Sequence, residues 1–324
     1  MRLLVTGATG KLGSNFLPAF LREPRFAGWQ VRAFCHARGL DAEGVEVVTG
    51  SLSNAADVRR AMDGVSHVLH MAAVKESPDL AMEVGVKGMF LLLEAFRARP
   101  EARQFLLIGG DCVVGHMFHD YAAPVTEESP RRAYPGCYAL TKVIEEVMLE
   151  QYRIQYGLNI CCLRAPWIME KDDFRHALSF TDQFGGPPWS DLMPAEVLAR
   201  AAAGKSVPLM LDYRQVPLRR NFVHVSDLVE AAIAALDNPA AEGELFNIAM
   251  DEPVDYGVAA EYLARTRGYE PVIIGTPFFS NWLSNSKARL KLGWKPAVDL
   301  ASLIDLAWTH VRPPSDPRKI WYPG

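Results

Sequence analysis

The chain opens on a glycine-rich turn, Thr6-Gly7-Ala8-Thr9-Gly10-Lys11-Leu12-Gly13, set directly behind a short apolar run, Arg2-Leu3-Leu4-Val5. No other stretch narrows the possible folds as much. Gly7 permits a tight turn after a strand, and Gly10 lets the backbone approach phosphates. Gly13 lets the next helix pack closely on a sheet, and that helix's N-terminal amides and dipole receive an anion. A glycine loop that serves only as a sharp strand-to-helix turn has the same sequence, so the surrounding pattern has to decide. That pattern alternates. Strands are expected at Gln30 to Phe34, Val45 to Val48, His67 to Met71, Phe105 to Ile108 and Asn159 to Leu163. Helices are expected at Leu12 to Leu21, Asp79 to Arg97 and Tyr138 to Tyr156, the second carrying Leu80, Val84, Met89, Leu92, Leu93 and Phe96 at helical period. Pro18 falls inside the first helix, where it should cost a hydrogen bond or introduce a kink. The alternation predicts an α/β fold, a Rossmann-type doubly wound parallel sheet with helices on both faces.

From Ala165 to about Arg220 the alternation breaks, with Gly185-Gly186-Pro187-Pro188 inside the break. It resumes with a strand-like run, Asn221 to Val225, and a helical run, Asp227 to Leu236, and from Glu252 the tail reads as irregular, rich in Pro and Trp. The expected organisation is a dinucleotide-binding domain over residues 1–165, with 221–250 returning to it. A smaller C-terminal α+β substrate domain is then assembled from 166–220 and 251–324.

A second string, Tyr138-Ala139-Leu140-Thr141-Lys142, places a phenol and an ammonium one helical turn apart on one face. A phenol titrates near 10 when unperturbed, too high for a base at neutral pH. An adjacent ammonium and a positive nicotinamide stabilise the phenolate and bring it toward the working range. Such a pair alone is ordinary helix surface. Behind a glycine turn, on the helix after the fifth strand, it points to a nicotinamide-dependent enzyme with Tyr138 as base and Lys142 tuning it.

Bulk properties remove other classes. With 324 residues, 49% hydrophobic and 22% charged, the chain has globular composition. Its net charge of −4 gives no basic footprint for nucleic acid or an anionic membrane. No apolar run reaches the roughly 18 residues a membrane helix needs, and the first strand runs straight into the glycine turn, so no signal peptide is expected. Cys35, Cys112, Cys137, Cys161 and Cys162 form no CxxC pair and no metal-ligand spacing, so no metal is expected and a reducing cytoplasm is.

The motifs together resemble an extended short-chain dehydrogenase/reductase of the NAD-dependent epimerase/dehydratase family. Besides TGATGKLG and YALTK, the resemblance covers VLHMAAV at Val68 to Val74, GMFLLLEA at Gly88 to Ala95, LRAPWIM at Leu163 to Met169, RNFVHVSDL at Arg220 to Leu228, FNIA at Phe246 to Ala249 and LGWKP at Leu292 to Pro296. It implies a bound NAD or NADP, a sugar or sugar-derivative substrate, nucleotide-linked sugars above free sugars or sugar acids, and a homodimer formed through the two long helices. It implies cofactor contacts from Gly7, Thr9, Gly10, Lys11, Leu12, Gly13, Ser51, Leu52, Ala72 and Lys142. After the second strand an NAD site usually carries an acid for the ribose hydroxyl. Here the chain reads Phe34-Cys35-His36-Ala37-Arg38, so Arg38, with His36 or Arg32, is the candidate for a 2′-phosphate, and NADP is favoured over NAD. Solvated loop residues are the alternative.

The departures bear on chemistry. The family places Ser or Thr five residues before the glycine that closes the fifth-strand loop, where its hydroxyl bonds the reacting oxygen; in Gly109-Gly110-Asp111-Cys112-Val113-Val114-Gly115 that position is Gly110. Asp111 stands where dehydratases have an acid, but their following Glu is Cys112, so dehydration is not expected. Asp111 is then a candidate for orienting a substrate hydroxyl or for acid-base work, or it caps a turn. The acid that usually contacts the adenine side is Ser51, and an asparagine of the helix after the fourth strand is Gly85. Lys75 follows the fourth strand at the ligand-binding edge of the sheet and is a candidate substrate or cofactor contact, or a solvated lysine. Arg220 matches an arginine that meets a substrate diphosphate, or it pairs with Asp227. His116 and His119 are not expected to be catalytic, since nothing in the sequence orients them, and His224 and Asp227 read as structural. A catalytically silent dinucleotide-binding redox sensor, acting through a protein partner, is the alternative that the missing hydroxyl leaves open.

Overall fold

The computed structural model describes residues 1–181 and 187–318; Gly185 and Gly186 of the expected break lie outside the described residues. Six strands come first: β1 (Arg2–Thr6), β2 (Gln30–Cys35), β3 (Val45–Thr49), β4 (His67–His70), β5 (Gln104–Gly110) and β6 (Ile160–Ala165). Four strands of a second lobe follow, β7 (Trp167–Met169), β8 (Ser206–Leu211), β9 (Arg219–Arg220) and β10 (Phe222–His224), before β11 (Glu244–Asn247) returns to the first sheet. That sheet has seven strands in the order β11-β6-β5-β4-β1-β2-β3, all parallel. The strand order reverses between β1 and β4, the crevice where ligands of open α/β sheets bind. Thr6 pins that crevice. Its hydroxyl accepts from Met71 N–H (3.2 Å) and Ala72 N–H (3.3 Å) and lies 2.7 Å from His70 Nδ1.

Helices cover both faces because the central strands β1, β4, β5 and β6 are buried on both sides, while the edge strand β3 stays largely exposed. On one face α1 (Lys11–Arg22) buries Leu12, Phe16 and Phe20. On the other lie α2 (Ala55–Ala61), α3 (Pro78–Leu80), a π-helical stretch (Ala81–Lys87), α4 (Gly88–Arg97) and α5 (Cys137–Tyr156), burying Val58, Leu92, Phe96 and Leu149. Each such Leu or Phe contributes roughly 1.5–3 kcal/mol over its exposed state. Pro18 does not break α1: it lies on the exposed face, where water can satisfy the Ser14 carbonyl four residues back. The helix expected over 79–97 is a composite. The π-helical stretch contains Gly85, whose missing side chain leaves room for Thr141 and Glu145 of α5, and α4 starts at Gly88, which presses on Leu52.

The second lobe carries α6 (Asp173–Ala177), α7 (Trp189–Leu192) and α8 (Ala195–Ala203). Then α9 (Val225–Ala235), with Leu228 and Ile233 buried, rejoins α1 on the first sheet. The tail is not irregular. It contains β12 (Val254–Asp255), α10 (Tyr256–Arg267), β13 (Glu270–Gly275), α11 (Ser286–Leu292) and α12 (Leu300–Thr309). α10 is capped by the Asp255 carboxylate on Gly257 and Val258 N–H and ends at Gly268 in the left-handed region; its buried stripe of Tyr256, Ala259, Ala260 and Leu263 is too rich in small residues to show as strong periodicity. Three two-stranded sheets join the parts of this lobe: β7 with β10 and β8 with β13 in parallel, and β9 with β12 antiparallel. Its own core holds Phe174, Met210, Phe222, Tyr256, Ile274 and Ile304.

Candidate active site

A cleft of about 530 Å³ runs along the C-terminal ends of β1, β4 and β5, under β7 and β9. One wall is the glycine turn. Gly7 takes φ +70°, and a Cβ there would lie 2.8 Å from the backbone of Met71 and Ala72. A Cβ at Gly13 would lie 2.4 Å from Gly7 O, so only glycine lets α1 seat this low on the turn. Gly10 is the helix N-cap without a side-chain bond, and no acid stands in the first turn. The first-turn amides of α1 are therefore left for an anionic ligand. This cradle fits a dinucleotide pyrophosphate. Thr9, Lys11 and Leu12 line the same wall, as do Ala72 and, beyond the end of β2, His36 and Arg38. Arg32 does not contribute: it is buried and donates to the Ala61 and Asp63 carbonyls. Ser51 and Leu52 are not among the cleft residues. Ser51 N–H donates to Asp57 Oδ2 (3.0 Å), and Leu52 supports Gly88. Lys11 reaches across the cleft to Asp173 Oδ2 (2.6 Å) and Ile168 O (3.0 Å), and Arg318 meets Asp173 from the other side (3.0 Å).

Tyr138 and Lys142 both line the cleft from the first turns of α5. The helix start is fixed from outside, by the Glu76 carboxylate accepting from Cys137 N–H (3.0 Å). Lys142 is buried, and its ammonium donates to Glu145 Oε2 (2.7 Å) and Ile108 O (3.3 Å), 6.0 Å from the Tyr138 ring centre. Burial alone would lower the Lys142 pKa, and the Glu145 carboxylate overrides it, so the net shift is upward. The phenol of Tyr138 is not brought down here. Burial pushes it well above its ordinary value, and the nearby Cys112, Tyr134, Glu145 and Asp111 add to that. The expected lowering is absent because burial outweighs it, and the Glu145 carboxylate beside Lys142 offsets the ammonium meant to produce it. Another cation is closer: Lys75 Nζ lies 3.7 Å from the Tyr138 ring centre. Burial pushes Lys75 down to about 8, and Lys142 and Lys11 act in the same direction.

Beyond Tyr138 the cleft is closed by a row of buried polar groups: Asp111 and Arg220, both expected from the sequence, are joined through His116, a link that was not expected. Arg220 Nε donates to His116 Nε2 (2.8 Å), and His116 Nδ1 lies 2.6 Å from Asp111 Oδ2. An arginine Nε–H can only donate, so Nε2 is the acceptor and the ring proton sits on Nδ1, bonded to the carboxylate. His116 is thus oriented at both ends, contrary to expectation. Gly115 (φ +85°) and His116 (φ +48°) turn the chain to place the ring there. Arg220 also stacks on Trp167 at 4.3 Å. It does not pair with Asp227, whose carboxylate accepts from Ala297 and Val298 N–H. His119 stands apart, near Ala133 O (3.3 Å). At Gly110 a Cβ would lie 3.7 Å from Tyr138 Oη and 3.0 Å from Cys112 Sγ, so the position without a hydroxyl faces the phenol directly. Among the described residues no cluster of metal-ligating side chains occurs, and no helix is long and apolar enough to cross a membrane.

Residues 3–249 match the NAD dependent epimerase/dehydratase family. UDP-glucuronate 4-epimerase 1 of Arabidopsis thaliana is 25% identical over 336 residues, covering 92% of this chain and 73% of that protein. A short-chain dehydrogenase/reductase superfamily protein from Agrobacterium tumefaciens, solved with bound NAD, superposes with a TM-score of 0.81 at 27% identity, over 95% of this chain and 96% of that one. UDP-glucuronic acid 4-epimerase from Bacillus cereus in complex with NAD shares the fold, with a TM-score of 0.71 at 19% identity over 95% and 100% of the two chains.

Proposed function

Since the chain belongs to the NAD dependent epimerase/dehydratase family, within the extended short-chain dehydrogenases/reductases, we propose that it oxidises a hydroxyl of a sugar or sugar derivative and either releases the ketone or lets it be reduced again from the other face. The observation that carries this is that the glycine cradle and the Tyr138–Lys142 pair open into one cleft. When bound, the nicotinamide supplies the redox chemistry by accepting hydride. The residues of the chain do the rest. The glycine turn and Lys11 hold the pyrophosphate end, and Lys142 fixes the nicotinamide ribose. Tyr138 takes the hydroxyl proton once the positive nicotinamide lies beside it. Asp111, held by His116, orients a second substrate hydroxyl. The names of the relatives support a nucleotide-linked sugar, with Arg220 as the cation at the far wall. His36 and Arg38, with no acid beside them, support NADP; the solved relatives named above carry NAD, so both belong in the test.

A homodimer through α4 and α5 is part of this reading. Phe90, Leu140, Val147, Ile154 and Tyr156 of these helices are exposed apolar side chains, which a second copy would cover. The thiols are all free, which supports a reducing cytoplasm. The test is absorbance at 340 nm with NAD or NADP and a panel of sugars, sugar acids and nucleotide sugars, in the natural protein and in Tyr138→Phe. One substrate class should reduce the cofactor or be epimerised, and Tyr138→Phe should keep cofactor binding while turnover falls by roughly 10²–10⁴-fold. The second reading, a silent redox sensor, is favoured by Gly110. It stands if cofactor binds, no sugar reacts, and a protein partner binds only the loaded form.

A further inference from the structure

The missing hydroxyl at Gly110 leaves a definite vacancy in function. In the reading above, the reacting oxygen lies within hydrogen-bond reach of Tyr138 Oη, and it needs a second donor to hold it while its proton leaves. The groups that face Tyr138 are few. Lys142 and Glu145 come from α5, Asp111 and Cys112 from the turn after β5, Tyr134 from the loop before α5, and Lys75 from the loop after β4. Lys142 is committed to Glu145 and Ile108 O. Asp111 is a carboxylate already bonded to His116, and when ionised it accepts only. Cys112 is a buried thiol, a weak donor whose pKa burial pushes up to about 12. Tyr134, a buried phenol, makes no hydrogen bond among the described residues, and Lys75 differs from it in carrying a charge. Its ammonium is half-buried in the cleft wall, 3.7 Å from the Tyr138 ring centre, and among the described residues it makes no hydrogen bond or ion pair.

We propose that Lys75 is a catalytic residue of this site, giving the reacting oxygen the hydrogen bond that a Ser or Thr at position 110 would give and that Gly110 cannot. The proposal rests on the sugar-oxidising reading of the cleft. In the oxidation the hydroxyl proton passes to Tyr138 Oη, and the hydrogen on the same carbon leaves with its electron pair to the bound nicotinamide. Lys75 keeps its three protons and shares one with the oxygen as it becomes a carbonyl. The flexible four-carbon stem lets the ammonium swing from the ring face to that oxygen. The same charge above the ring favours the phenolate, which the neutralised Lys142 does poorly.

Two measurements test this, the first without any substrate. With NAD bound, the ¹³Cζ signal of labelled Tyr138, assigned through Tyr138→Phe, is titrated in the natural protein and in Lys75→Met. The expected result is a Tyr138 titration at least about one unit higher in Lys75→Met. An unchanged titration overturns the proposal whether or not a substrate is known. The second uses whichever sugar the panel identifies. Lys75→Met should lower kcat by about 100-fold with cofactor affinity retained, and Lys75→Met/Gly110→Ser should recover at least about tenfold. Gly110 is extended (φ −142°, ψ 150°), so serine fits its backbone, and Cys112 Sγ at 3.0 Å has only to yield slightly. Lys75→Met/Gly110→Ala adds the same Cβ without a hydroxyl and should recover nothing. Equal recovery by alanine, a loss confined to cofactor affinity, or a Tyr134→Phe defect that Gly110→Ser rescues in place of the Lys75 defect each overturns the assignment. If no sugar reacts, the enzyme reading fails by itself, and the titration still decides what Lys75 does to Tyr138.

Discussion

Arg164 and Glu146 are enclosed almost completely, with side chains 1% exposed, and joined by two bonds: Nε to Oε1 at 3.0 Å and Nη2 to Oε2 at 2.9 Å. The pair ties α5, which carries Tyr138 and Lys142, to β6. Removing one partner of a buried pair costs about 3–5 kcal/mol, because the survivor is left charged and dry. The two halves are not equivalent here. Glu146→Leu leaves Arg164, among the described residues, with Asn247 Oδ1 at 3.4 Å as its one hydrogen-bond acceptor, so the full ~3–5 kcal/mol is expected. Arg164→Met leaves Glu146 still bonded to Arg131 at 3.2 Å, whose side chain is 33% exposed, so the loss should be nearer ~2 kcal/mol. The double variant replaces both charges with apolar groups and should fall within about 1 kcal/mol of the natural protein, a coupling of at least ~3 kcal/mol. Urea unfolding followed by circular dichroism and by tryptophan fluorescence, with coincident transitions, measures this. A loss under about 1 kcal/mol in Glu146→Leu would refute the reasoning, as would a double variant that loses the sum of the singles.

Gly13→Ala places a Cβ 2.4 Å from Gly7 O, backbone that cannot move aside cheaply, so cofactor affinity measured by titration calorimetry should fall at least about tenfold with the chain still folded. Arg38→Ala should weaken NADP by roughly 10–100-fold, the value of a charged hydrogen bond, and leave NAD within about twofold; equal loss for both cofactors removes Arg38 from the 2′-phosphate. His70 titrates at about 3 rather than 6.5 because it is buried, so the folded protein refuses a proton that the unfolded chain accepts. Its contribution is fully present above pH 6.5 and is lost as pH falls toward 3. Between pH 6.5 and 5 unfolding should become about 2 kcal/mol easier in the natural protein, and less so in His70→Gln; parallel pH curves would refute it.

The first half of the chain was readable because its signals are local. A glycine turn, buried strands and amphipathic helices each state their structure within ten to twenty residues. Helix α10 shows what escapes: its Asp255 cap and Gly268 stop were in plain view, but a stripe of alanines gave too little contrast to register. Within the cleft, Tyr138, Lys142, Asp111 and the glycine turn were named from spacing and from the family resemblance. The Arg220–His116–Asp111 row was not, because its members lie 104 and 5 residues apart and meet only through folding. The same holds for Glu145, whose neutralisation of Lys142 depends on a buried rotamer and on no motif. A sequence names the charges present, and only the fold says which of them cancel.

The pairing of β8 with β13 and of β9 with β12 carries a consequence for ancestry. Each of these small sheets takes one strand from before the return to the main sheet and one from after it. A gene exchanged with a cousin at a single crossover between codons 247 and 254 would pair strands of different parentage in both sheets at once. Its seven-stranded sheet would be spared, and the second lobe would not. New specificities in this architecture therefore have to be inherited as two matched stretches of gene or accumulated one residue at a time.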